Sequence, residues 1–154
     1  MLMLMRILHI GFGAFWVGTL IFTAFFLFPA MRDAGPDSAK VANQLVQRKF
    51  AVIMPLTAII AILAGVWLLW RISGGFANGY MGTSAGKAYS IGGLAAIIAL
   101  IIGLSVVRPA MIKATQLGGT PEAQALRARA GKANVWVALL LIVTLVAMAV
   151  GRYV

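Results

Sequence analysis

The chain has 154 residues, 62% of them apolar and 10% charged, with a mean hydropathy of +1.00. One core at this length could not hide so much apolar surface, and cysteine is absent, so an ordinary soluble enzyme, a disordered tail and a disulfide scaffold are excluded. The formal charge of +10 falls in the gaps between apolar runs, with no basic face and interleaved aromatics to hold a strand, so membrane lipids are expected partners and nucleic acid is not.

The first apolar run, about Ile7 to Ala30, is too long for the apolar stretch of a signal peptide. Its end, Phe25-Phe26-Leu27-Phe28-Pro29, is no small-residue cleavage site, so it reads as a membrane span. Met31 to Lys49 is polar, with a turn at Gly35-Pro36-Asp37-Ser38, and Asp37 or Ser38 is placed to cap a short interfacial helix through Gln47. The second span runs from Phe50 to Trp70, and Pro55 within it should kink the helix and free a carbonyl. Arg71 to Ala88 is a loop rich in Gly, Ser, Asn and Tyr, and the third span follows from Tyr89 to Val107. Gly118-Gly119-Thr120-Pro121-Glu122 is a helix stop and start, with Thr120 as N-cap and Pro121 in the first helical position. Glu122 to Lys132 reads as a short basic helix leading into the fourth span, Asn134 to Gly151. The expected fold is an all-α integral membrane four-helix bundle.

Charge sets the expected topology. The first and third connections hold nine cations: Arg32, Lys40, Arg48, Lys49, Arg108, Lys113, Arg127, Arg129 and Lys132. The opposite side holds four, Arg6, Arg71, Lys87 and Arg152. This excess puts the charged connections in the cytoplasm and both termini in the periplasm of a bacterial inner membrane.

Pro29-Ala30-Met31 recurs as Pro109-Ala110-Met111, 80 residues later, and Gly13 falls on Gly93 at the same offset. The pattern suggests two tandem helical hairpins in parallel orientation, about residues 1–72 and 88–154, related by a pseudo-two-fold axis along the membrane normal. Gly11, Gly13 and Gly18, then Gly65, then Gly92, Gly93 and Gly103 are candidates for close helix approach.

Reactive groups within the spans are few. No carboxylate lies in any apolar run, so no paired-carboxylate chemistry is expected there. Thr19, Thr23, Thr57, Ser105 and Thr144 have no base beside them and should bond preceding carbonyls. His9 is the one histidine, and an imidazole is a common ligand for metals and haem iron. Met1, Met5 and His9 follow at i, i+4 and i+8, a soft donor set suited to copper. Trp16 follows His9 by two turns, and Gly11 and Gly13 offer space for a flat macrocycle, so haem b, with His9, Trp16 and Gly13 at its site, is the other candidate.

The pattern His9-x6-Trp16-x-Gly18 resembles a signature of the copper-resistance D (CopD-like) family and is similar to related four-helix bacterial membrane proteins. The run from Gln47 through Pro55 to Gly65-Val66-Trp67-Leu68-Leu69-Trp70 is similar to the second helix of HemJ-type protoporphyrinogen oxidases, which also carry His and Trp in the first helix. The resemblance implies a four-helix bundle whose first-helix histidine holds haem or metal. The oxidases carry an Arg after the proline that ends the first helix, and further histidines. Here Ala30 and Met31 follow Pro29 and there is one His, so enzymatic oxidase chemistry is not implied.

Two functions follow as expectations. One is a haem- or copper-binding membrane protein that handles electrons or metal through His9. A single imidazole leaves further ligands to Met, water or a second chain, so a homo-oligomer or a complex with other membrane subunits is expected. The other is a non-catalytic subunit of a larger respiratory or photosynthetic membrane complex.

Overall fold

The structure, a computed structural model, describes residues 1–76 and 79–154; the part of the central loop at 77–78 lies outside the described residues. It is an all-α bundle, with no strand among the described residues. Four helices are long and apolar enough to cross a membrane: α1 (Leu2–Asp33), α3 (Phe50–Ile72), α4 (Ser84–Gln116) and α5 (Pro121–Val150). A short amphipathic helix, α2 (Ser38–Gln47), joins α1 to α3. Only 22–33% of the most apolar stretch of each long helix is buried inside the bundle, so most of its apolar surface faces outward, as lipid as solvent requires.

α1 packs chiefly on α3, and α4 chiefly on α5. Contacts of α1 with α5 and of α3 with α4 close the bundle, and α2 lies against the end of α4. The central cluster is Trp16, Val17, Met54, Ala58, Ala96, Ala99, Val137 and Leu141, contributed by all four long helices. Alanine supplies most of the close approach: Ala58, Ala61, Ala64, Ala95, Ala96, Ala99 and Ala138 are all buried.

The two Pro-Ala-Met segments make the same local structure. Pro29 lacks an N–H and its ring crowds the carbonyl four residues back. α1 absorbs this as a π turn over Thr23–Leu27, in which the Phe28 N–H reaches back five residues to the Thr23 carbonyl. Pro109 produces the corresponding π turn over Gly103–Val107, with the Arg108 N–H on the Gly103 carbonyl. The two turns lie 80 residues apart, and the helix continues beyond each.

Several expectations are corrected. The first and third spans are longer than their apolar runs, because the helix continues through residues 2–6 and 31–33 of the first and through residues 84–88 and 108–116 of the third. The basic stretch Glu122 to Lys132 is not a separate helix: α5 is continuous over 30 residues, about 45 Å at 1.5 Å per residue. That exceeds a hydrocarbon core of about 30 Å, so α5 is longer than a bilayer crossing requires. α2 forms where expected, but neither Asp37 nor Ser38 caps it with a side-chain bond. Ser38 Oγ instead donates back to the Gly35 carbonyl at 2.6 Å. Of the seven glycines proposed for close approach, Gly13, Gly65 and Gly92 face a neighbouring helix; Gly11, Gly18, Gly93 and Gly103 have open space where a Cβ would project.

Other local readings hold. Thr120 caps α5 by accepting the Ala123 N–H at 3.2 Å, with Pro121 in the first turn. Thr23, Thr57 and Ser105 donate to carbonyls three or four residues earlier. Pro55 leaves the Ala51 carbonyl without its helical donor, and Arg108 Nε of α4 donates to it at 3.0 Å.

Candidate functional site

His9 lies in the third turn of α1, on the face turned to α3. Its Nδ1 is 2.8 Å from the Ala61 carbonyl oxygen. A carbonyl has no proton to give, so Nδ1 is the donor; in a neutral ring the acceptor lone pair is then on Nε2. The imidazole rests on Gly65, one turn beyond Ala61. A Cβ at position 65 would stand 2.7 Å from His9 Cε1, 2.8 Å from Nδ1 and 3.6 Å from Nε2. Only glycine leaves room for the ring there.

The remaining candidates share part of this face. Met5 N–H donates to the Met1 carbonyl at 3.1 Å, so helical geometry extends to the first residue and keeps Met1, Met5 and His9 in one row. Met1 is 84% exposed, whereas Met5 and His9 are half-buried. Gly13 faces α3 as well, but a Cβ there would meet Ala61 Cβ at 3.9 Å. The space beside Gly13 is therefore taken up by the helix contact. Gly11, two residues beyond His9 and about 200° around the helix, opens on the other side.

Trp16 belongs to a different environment. It is 3% exposed, in the central cluster, and it lines an apolar cavity of about 90 Å³ with Met54, Pro55 and Asn134. His9 lines neither this cavity nor the larger one near the charged connections. The structure thus places His9, Met5 and Met1 together along one edge of the α1–α3 pair and places Trp16 deeper, in packing.

Among the described residues no group of three His, Cys, Asp or Glu side chains could hold a metal ion. What this chain supplies is one imidazole nitrogen and one or two thioethers. The donor chemistry fits an axial ligand to haem iron, or part of a soft copper site, but it does not complete either coordination sphere.

Sequence reasoning missed Asn134 as anything but the start of a span. It is 1% exposed, and its Nδ2 donates to Thr23 Oγ1 at 3.0 Å and to the Leu20 carbonyl at 3.4 Å. This ties α5 to α1 at the π turn. An amide at the head of an apolar run was the available signal. Thr144 Oγ1 similarly lies 3.0 Å from the Gly92 carbonyl of α4 and 3.0 Å from the Leu140 carbonyl of its own helix. No protein-family model, curated protein or solved structure matches the chain.

Proposed function

We propose that this multi-pass membrane protein binds haem b or a copper ion through Nε2 of His9 and serves in electron or metal handling in a bacterial inner membrane. One observation carries the reading: His9 Nδ1 donates to the Ala61 carbonyl at 2.8 Å, which leaves Nε2 as the acceptor. A metal-ligating histidine usually donates its other N–H to a carbonyl or carboxylate, which fixes both tautomer and ring orientation. Gly65 adds a steric support that holds the ring against α3. Haem, when bound, supplies one-electron chemistry at its iron; copper does so at the ion. The chain's own part is to present one oriented imidazole at the edge of two helices, with the Met5 thioether one turn away.

The incomplete donor set supports a homo-oligomer, in which a second copy contributes a further His9 or Met5. The charge distribution supports periplasmic termini, with His9 on the periplasmic side of the bundle. The test is the absorption spectrum and metal content of the protein purified from its membrane. A Soret band identifies haem, and copper without a Soret band identifies the metal. Protein that is colourless and metal-free after expression with haem and copper supplied refutes the proposal.

A second reading has its own observation. Phe22 and Phe26 are exposed on the outside of α1, with ring centroids 5.8 Å apart and planes inclined by 22°. Such an aromatic pair suits contact with another helix in a larger membrane complex, where this chain would be a non-catalytic subunit. Co-purification of stoichiometric membrane partners with cofactor-free protein would favour it.

A further inference from the structure

The larger cavity, of about 300 Å³, lies between the end of α1, the start of α2 and the first turns of α5. Its lining is largely apolar, and the charged side chains in it are all basic. Arg32, Arg127 and Lys132 all line it, together with Ser38 and Gln124, and no acidic side chain does. Arg127 is held in place by one nitrogen only. Its Nη2 donates to the Gly118 carbonyl at 2.7 Å and to the Ala114 carbonyl at 3.3 Å, closing the end of α4. Nε and Nη1 of the same guanidinium are buried and have no hydrogen-bond partner.

Leaving charged donors buried and unpaired is costly, and a cavity beside them offers a remedy. Of the three acids, Asp33 pairs with Arg32 itself, Nε to Oδ1 at 3.4 Å in an exposed position, Asp37 lies 4.0 Å from Lys40, and Glu122 pairs with Lys113 at 3.0 Å; none of them reaches Arg127 or Lys132. The cavity also lies beside the basic first turns of α5, at the end of the bundle with the greater positive charge. Basic pockets between membrane helices on such a face suit phosphate headgroups.

We propose that this cavity binds a phosphate group, carried by an anionic lipid or free in solution, through Arg127, Arg32 and Lys132. The phosphate oxygens accept from the partnerless nitrogens of Arg127, while Arg32 and Lys132 supply charge at the rim. The site is independent of His9 and of any cofactor there.

The full chain is assembled in nanodiscs of phosphatidylcholine alone or of an equimolar mixture with phosphatidylglycerol. Native mass spectrometry then counts the lipids retained on release, and calorimetry in the phosphatidylcholine discs measures binding of inorganic phosphate. The Arg32→Gln, Lys132→Gln double variant removes two rim charges while keeping the Arg127 bonds to α4. At about fivefold per charge, its affinity should fall on the order of 25-fold, with unchanged helicity. Retention of phosphatidylglycerol that the variant weakens, without phosphate binding, assigns a lipid headgroup. Saturable phosphate binding that the variant weakens assigns a free phosphate group. Equal retention of both lipids with no phosphate binding overturns the proposal, as does binding that the variant leaves intact. Arg127→Lys gives a second check: it keeps the charge but not the planar fork, and should also weaken binding.

Discussion

Replacing Gly65 by Ala puts the contact between α1 and α3 under direct strain. The new Cβ would lie 2.7 Å from His9 Cε1 and 2.8 Å from Nδ1, so the ring must retreat by about 0.8 Å to reach ordinary carbon contact distance. That retreat carries Nδ1 out of hydrogen-bond range of the Ala61 carbonyl, now 2.8 Å away. The lost bond is worth about 0.6 kcal/mol and at most about 1.7 in a membrane helix pair. Overpacking adds about 1–3 kcal/mol, and the better helix propensity of Ala returns about 0.5–1. The expected net cost is about 1–2 kcal/mol. In a His9→Ala background the clash is absent, and Gly65→Ala should be neutral or stabilising by about 0.5 kcal/mol. The coupling energy between the two positions is then about 2 kcal/mol. Reversible unfolding in bicelles, measured for the wild type, both single variants and the double variant, gives this number. A cost for Gly65→Ala that is the same with and without His9 would refute the contact.

Other expectations test the packing and the topology. Asn134→Leu removes the amide that joins α5 to Thr23 and Leu20 and should lower stability by about 1 kcal/mol, with much less effect in a Thr23→Val background; the same unfolding assay reads both. Arg108→Leu leaves the Ala51 carbonyl without a donor and should cost about 1 kcal/mol. Pro55→Ala in that background restores the helix's own N–H and should recover most of the loss. Single cysteines at Asp37 and Ser84, both exposed, should react differently with an impermeant thiol reagent in intact cells. Labelling at position 84 and not at 37 is expected, and the reverse pattern would invert the topology.

The class of fold was legible because lipid is an exacting solvent: four apolar runs near the length of a bilayer core admit few alternatives. The inward faces were much less legible. In lipid a helix is apolar all round, so hydrophobic periodicity does not mark the packed side, and seven glycines were candidates where three face a neighbour. The continuity of α5 was hidden for a related reason. Arg127, Arg129 and Lys132 interrupt an apolar run without interrupting a helix, and the one glycine among them, Gly131, packs near Phe28 rather than ending the element. Pro29 and Pro109 are recognisable as part of a repeated triplet, but that each draws a five-residue π turn depends on the backbone around it. His9 was found from residue type alone. Its partners, Ala61 and Gly65, lie more than fifty residues away and could be paired with it only by the packing of α1 on α3.

Because the chain contains one histidine, its imidazole can be observed without assignment. Nitrogen-15 spectra of histidine-labelled protein in bicelles, taken before and after titration with Cu(I) and, separately, with ferrous haem, read the two ring nitrogens directly. The predicted result is a protonated Nδ1 that keeps its proton throughout, and an Nε2 resonance that shifts as one of the two ligands binds. A resonance pair unmoved by either ligand, or a metal bound at Nδ1, would contradict the account.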